Sequence, residues 1–324
     1  MLTLRFDLRN PAFAKTSSAD RLQAAVEMAA WADARDGISV ALSEHHGSPD
    51  GYLPSPLIVA AGIAARTTRI RISIAALLAP LYDPVRLAED VAVLDALSGG
   101  RIDLILGNGY VASEFEMYGV AMSERARRTT EVIEFLRKAW TGEAFEFHGR
   151  TIRVTPRPHQ PAGPRLILGG SSAAAARRAA RIADGFLPVS PQWWDVYRQE
   201  CQQLGKPDPG PSPIGTMTTT FLAEDPEAAW PRLMPYFLHE TNAYAEWLEG
   251  AGGQGPYHRA TAEELRQGGQ YRVITPEAYA EELRAQGEHA VAMLHPMVGG
   301  VPPDVAWECL ELYESKVLPA LQGR

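Results

Sequence analysis

Apolar runs of strand length recur from one end of this chain to the other, and stretches of helical periodicity separate most of them. Such alternation points to parallel strands, because two neighbouring parallel strands must be joined by a crossover, usually a helix, packed on the sheet face. The first run spans residues 2–8, where Leu2, Leu4, Phe6 and Leu8 alternate with polar residues, and a helix is predicted over 18–35. Further strands are predicted at 38–42, 70–76, 102–106, 165–168, 185–189, 214–222 and 290–295. Helices are predicted at 55–66, after the third strand, at 123–140 and, closing the chain, at 303–318. The helix after the third strand is the best punctuated: Asp83 as N-cap, Pro84 at the first helical position, and Gly99-Gly100 beyond its end. Inside it Leu87, Val91 and Leu94 share one stripe. A hairpin is predicted at 145–154, with Gly149-Arg150 at its turn.

Eight strands spread over 324 residues predict one α/β domain covering 1–324, a (β/α)8 TIM barrel, for which about 250 residues plus insertions is ordinary. No Pro/Gly/Ser-rich linker divides the chain into two doubly wound halves. The surplus length falls between the seventh and eighth strands, at about 225–275, where Tyr236, Phe237, Tyr244, Trp247, Tyr257 and Tyr271 gather. An insertion of this kind is expected to serve as a lid or binding loop. A hydrophobic content of 46% excludes disorder as the main state, and a net charge of −8 excludes a protein built to coat nucleic acid. Two cysteines, Cys201 and Cys309, suggest a reducing compartment. With neither a signal-like amino terminus nor a run of about 20 apolar residues, a soluble cytoplasmic protein is expected.

Four segments at predicted strand ends could carry chemistry, and in a parallel barrel the carboxyl ends of the strands build the active site. Ser43-Glu44-His45-His46 follows the second strand and offers a carboxylate and two imidazoles suited to proton transfer near neutral pH. A loop that merely stitches strand to helix is the plainer alternative. Adjacent residues on a strand point to opposite faces, and neither HExxH nor Cys/His spacing is present, so no metal site is expected. Ala75-Ala76, at the end of the third strand, would leave room for a broad planar group or simply pack. Gly107-Asn108-Gly109-Tyr110, after the fourth, could let a flat ligand lie on backbone or only make a tight turn. Gly169-Gly170-Ser171-Ser172, after the fifth, leads into an alanine-rich helix whose free first-turn amides make a phosphate seat; a structural turn is equally compatible. Trp193-Trp194 reads as packing, Arg125, Arg127 and Arg128 as a solvated helix face, and His148 as part of the hairpin. His295-Pro296 has no evident partner in the sequence.

Taken together, several of these segments resemble the bacterial luciferase-like flavin monooxygenase family. The resemblance is carried by Ser43-Glu44-His45-His46, Ala75-Ala76, Asp83 to Val91 with Leu94-Asp95, Ser98-Gly-Gly-Arg101, Gly109-Tyr110 with Glu114-Phe115 and Gly119, and Gly169 to Ser172 with Arg178-Ala-Ala and Ala183-Asp-Gly185. It extends over most of the chain and is most specific from 70 to 119. It implies a barrel that takes reduced FMN from a separate flavin reductase, reacts it with molecular oxygen and oxidises a small organic substrate through the flavin hydroperoxide. It also implies His45 as proton donor or acceptor, Glu44 as its acidic neighbour, and Ala75-Ala76, often a cis peptide, under the flavin ring. Ser171 and Ser172 fall at the phosphate-holding turn, and a homodimer is usual. Gly107 and Asn108 stand where the light-emitting members carry cysteine and arginine, which argues against light emission. Deazaflavin-dependent hydride transfer, on the same barrel motifs, is the alternative activity; a non-catalytic flavin-binding barrel is the alternative outside enzymes.

Overall fold

The computed structural model of the chain describes residues 1–212, 218–252, 257–287 and 289–322. They fall into two compact units: Met1–Ala41, His45–Pro54 and Met217–Arg324 form the first, and Leu42–Glu44 with Ser55–Thr216 the second.

In the first unit β1 (Leu2–Phe6) leads to α1 (Ser18–Asp33) and β2 (Gly37–Leu42, whose last residue belongs to the second unit). Ser17 and Asp20 close a reciprocal capping box at the start of α1, satisfying two otherwise free amides. The second unit opens with α2 (Pro56–Arg66), β3 (Arg71–Leu78), α3 (Pro84–Ser98) and β4 (Ile102–Gly107). The punctuation of α3 is as expected: the Asp83 carboxylate accepts from Val85 and Arg86 amides, and Gly99 takes the left-handed conformation at φ 68°. Leu87, Val91 and Leu94 are all buried.

Next come α4 (Ala112–Met117), α5 (Arg125–Ala139) and the antiparallel hairpin β5 (Phe145–Phe147) with β6 (Arg150–Ile152), which places Arg150 in a strand instead of the turn. The unit ends with β7 (Arg165–Gly170), α6 (Ala173–Ile182), β8 (Gly185–Pro188) and α7 (Gln192–Gln203). Its large sheet runs in the order β3-β4-β7-β8, all parallel. Trp194 is buried against Tyr197 in α7, the packing role expected of it. Of the arginines in α5, Arg127 lies in solvent beside Glu124 and Glu131, but Arg128 turns inward and donates to the Pro80 carbonyl at 2.9 Å. A solvated face is therefore correct for only part of that cluster.

The first unit resumes with β9 (Thr219–Leu222), α8 (Pro226–Gly250), α9 (Ala262–Gln267), β10 (Tyr271–Ile274), α10 (Pro276–Gln286) and β11 (Ala292–Leu294). Its strands run β10-β9-β11-β1-β2, with Leu2 opposite Ala292 and Tyr271 opposite Thr219 in parallel register. The expected strand at 214–222 is shorter, and its residues 214–217 lie outside the described residues. The 225–275 insertion holds α8, α9 and an additional strand, β10. One face of α8 is buried at Trp230, Leu233, Phe237, Glu240, Thr241, Tyr244, Ala245 and Leu248, a helical stripe. The closing helix is interrupted: α11 (Pro303–Leu312) passes through a π turn, Tyr313–Val317, into α12 (Leu318–Gln322).

Candidate active site

In the second unit the neighbouring strands β3, β4 and β7 carry the three glycine- or alanine-rich segments at their carboxyl ends. The Ala75–Ala76 peptide bond is cis. Pairing of β3 with β4 shifts there: Ala75 faces Ile105 and Leu77 faces Leu106, leaving Ala76 as a bulge. A Cβ on Gly107 would meet that of Ala76 at 3.0 Å, so the glycine makes room for the bulge. A Cβ on Gly169 would lie 3.5 Å from the Leu106 carbonyl oxygen, which sets the end of β7 directly beside β4. Gly109 has φ +72°, and a Cβ on it would press on the Phe115 ring at 2.9 Å; backbone and packing both require glycine.

Ala75, Ala76, Asn108, Gly109, Tyr110, Gly169 and Gly170 are half-buried, while Ser171 and Ser172 are exposed. The Ser172 hydroxyl accepts from the Ala175 amide at 3.2 Å and so starts α6. Two buried polar atoms of this unit, Asn108 Oδ1 and Arg178 Nη1, have no hydrogen-bond partner among the described residues. Burial holds the Arg178 guanidinium below its ordinary pKa, so an anionic partner would stabilise it. A carbonyl acceptor, small residues at three adjacent strand ends and a helix amino terminus together suit a ring bearing N–H groups and a phosphate. On these features a flavin mononucleotide fits.

Glu44 is buried and engaged at the end of β3. Its Oε2 accepts the Leu78 amide at 2.7 Å and its Oε1 accepts the Tyr82 hydroxyl at 2.6 Å. Burial, and then the adjacent Glu44 charge, push the Tyr82 phenol far above its ordinary value, so it remains a donor. With Arg128 holding the Pro80 carbonyl, the turn after the cis bond is tied at three points.

His45 belongs to the first unit. Its amide donates to the Leu53 carbonyl at 3.2 Å, and its imidazole lies 4.3 Å from the Trp247 ring and edge-on to Tyr52 at 4.9 Å. Tyr52 and Tyr244 share a hydroxyl–hydroxyl hydrogen bond of 2.8 Å. Behind them the buried Arg9 guanidinium sits over Tyr52, Tyr244 and Trp247 at 4.6, 4.9 and 4.7 Å and donates to Asp50 at 2.5 Å. Burial alone would raise the Asp50 carboxyl, but His239 at 2.7 Å, Arg9 and Ser48 hold it well below the usual carboxylate range. Burial, together with Glu240, pushes the Tyr257 phenol up to about 12.

None of Arg9, Asp50, Tyr52 and His239 is singled out by motif in the sequence, because each acquires its meaning from a partner far along the chain. The one available signal was the α8 stripe, where the charged Glu240 stands in a mostly apolar and aromatic face. His148 contacts Glu131 and stays with the hairpin, as expected.

This is a parallel α/β chain with small and polar residues at three adjacent strand ends. It belongs to the luciferase-like monooxygenase family, whose profile matches residues 6–294. It is 31% identical over 166 residues to the FMNH(2)-dependent dimethylsulfone monooxygenase of Pseudomonas putida, a stretch covering 47% of this chain and 45% of that protein. The chain spans about half the length of the curated relatives it matches. Among solved structures, the oxygenating constituent of 3,6-diketocamphane monooxygenase of Pseudomonas putida, in complex with FMN, superposes with TM-score 0.73 at 20% identity, covering 99% of this chain and 98% of that one. An F420-dependent secondary alcohol dehydrogenase superposes with TM-score 0.65 at 15% identity, covering 99% and 98%. The fold is accordingly a (β/α)8 TIM barrel with an insertion between its seventh and eighth strands, here β9 and β11.

Proposed function

We propose that the protein is a flavin-dependent monooxygenase, a single-barrel enzyme that binds reduced FMN and uses molecular oxygen to oxidise a small organic substrate. The observation that carries this reading is the juxtaposition, on adjacent strands β3, β4 and β7, of Ala75-Ala76, Asn108-Gly109-Tyr110 and Gly169-Gly170-Ser171-Ser172. When bound, reduced FMN supplies the electrons for oxygen activation.

This chain's own residues then have separable tasks. The amides and hydroxyls of Ser171 and Ser172, and the guanidinium of Arg178, hold a phosphate. Ala75 and Ala76 wall the ring, and Asn108 Oδ1 accepts a ring N–H. Glu44 acts as a positioning residue, since two of its oxygens are engaged in holding the turn after β3. His45, the next residue, moves the proton at an imidazole nitrogen, and its aromatic surround excludes water. The insertion is assigned the role of lid and substrate selector through its aromatic residues, and within the first unit its α8 is held through Tyr244, His239 and Glu240.

A flavin reductase is the implied donor of reduced cofactor. A homodimer is supported by Ile58 on α2 and Val93 and Leu97 on α3, large apolar side chains left exposed. Among the described residues no helix is long and apolar enough to cross a membrane, which agrees with a cytoplasmic location.

The test is titration of the purified protein with reduced FMN and with reduced deazaflavin, followed by mixing with oxygen. Tight FMN binding with a transient flavin absorbance change and oxygen uptake supports the monooxygenase. Tight deazaflavin binding without oxygen uptake would replace it with hydride transfer, and FMN binding with no reactivity would leave a flavin-binding barrel.

A further inference from the structure

Three side chains from distant parts of the sequence converge in the first unit: Asp7 beyond β1, Glu240 on α8 and His295 beyond β11. All are buried, and one ligand atom from each lies within 4.8 Å of the others. Asp7 accepts the Arg9 amide through Oδ1 at 3.1 Å and the Gly299 amide through Oδ2 at 3.2 Å, which leaves Oδ2 a second lone pair. Glu240 accepts the Tyr271 hydroxyl through Oε2 at 2.6 Å, while its Oε1 and both ring nitrogens of His295 have no hydrogen-bond partner among the described residues. Arg21, donating to the carbonyls of Met297, Gly300 and Val301, fixes the loop that follows His295.

His295 Nε2 stands 3.7 Å from Asp7 Oδ2, and Nδ1 stands 3.9 Å from Glu240 Oε1. Both are too long for hydrogen bonds, which end near about 3.2 Å. The two separations run to opposite nitrogens of one ring, so only one of them can be a ligand–ligand distance; either falls within the roughly 3.4–4.2 Å between two ligands each about 2.1 Å from one ion. Buried carboxylate and imidazole atoms without partners are costly, so this cluster calls for a positive charge among them, either a bound cation or a proton on His295. We propose that Asp7, Glu240 and His295 form a binding site for a divalent first-row cation, zinc or manganese, with Asp7 Oδ2, Glu240 Oε1 and one His295 nitrogen as ligands.

Three arginines surround the site. Arg9 is committed to Asp50, with its Nε 3.9 Å from Asp7 Oδ2; Arg21 is committed to carbonyls; Arg5 feels the charge of Glu240. Their charge moderates the affinity, with Arg9 Nε beside the ligand atom Asp7 Oδ2. The ion would staple α8 of the insertion to the residues following β1 and β11. The readouts are metal content and melting temperature, taken without flavin, so their outcome does not depend on the flavin reading.

The full-length protein, stripped with chelator, is to be titrated with Zn²⁺ and with Mn²⁺. One retained equivalent after gel filtration is expected, with a melting temperature raised by about 4 °C at a hundredfold excess over Kd. Both effects should vanish in Glu240→Gln and His295→Ala, whose folding is checked by circular dichroism; if these fail to fold, Asp7→Asn serves. Retention of metal by folded variants, no retention by the parent protein, or a doubly protonated His295 by ¹⁵N NMR in excess zinc would each overturn the assignment.

Discussion

The imidazole of His45 lies 4.3 Å from the indole of Trp247 with the two planes 32° apart. One ring comes from the loop after β2 and the other from α8, so the insertion sets the position of the residue assigned to proton transfer. The Arg9 guanidinium sits over three rings of the same cluster, Tyr52, Tyr244 and Trp247.

His45→Ala should lower turnover on the order of 10²-fold or more while leaving flavin affinity nearly unchanged. Steady-state kinetics beside a flavin titration checks this, and an unchanged rate would remove His45 from the mechanism. Trp247→Phe should retain most activity and Trp247→Ala should shift the pH profile, because only the latter frees the imidazole to reorient.

Glu44→Ala should cost about 2–3 kcal/mol, the loss of two hydrogen bonds to a buried charged acceptor. Tyr82→Phe, which removes one of them, should cost about half as much. Denaturant unfolding gives both values, and equal effects would contradict the shared anchoring.

Ser171→Ala and Ser172→Ala should weaken FMN binding but leave riboflavin binding unaltered, because only FMN carries the phosphate. Ser172→Ala should also cost about 1 kcal/mol of stability through loss of the helix cap. Calorimetry with the two flavins separates the phosphate seat from a purely structural turn.

Asp50 links pH to stability. Its folded pKa lies below its unfolded one, so its contribution is complete above the ordinary carboxylate value near about 4 and disappears as pH falls toward the folded value. Asp50→Asn should therefore destabilise at neutral pH by about 3 kcal/mol and flatten the loss of stability below pH ~4. Melting curves across that range test both parts, and parallel pH profiles for parent and variant would refute the linkage.

Much of the fold was legible because its signals are local. Asp83, Pro84 and Gly99 bracket α3 wherever that helix lies, and alternation in residues 2–8 marks a strand without reference to its neighbours. The four strand-end segments were legible for the same reason: glycine, alanine and serine at the end of an apolar run limit the backbone and the ligand together. β10 escaped notice because Tyr271-Arg-Val-Ile is only four residues long, although Gly268-Gly269 before it and Pro276 after it bound the alternation of Tyr271 and Val273. Arg128 escaped because a charged side chain on a helix is solvated unless a particular acceptor, here the Pro80 carbonyl, happens to lie within reach.

The sequence by itself determined the alternating architecture, the surplus between β9 and β11, and the family to which the chain belongs. Only the tertiary structure decided that Glu44 grips the turn after β3, that Trp247 backs His45, and that Asp7, Glu240 and His295 share a buried cluster. The physical reason is range. Caps, turns and periodicity act within a few residues, whereas a buried charge is defined by the partners that folding brings to it from hundreds of residues away.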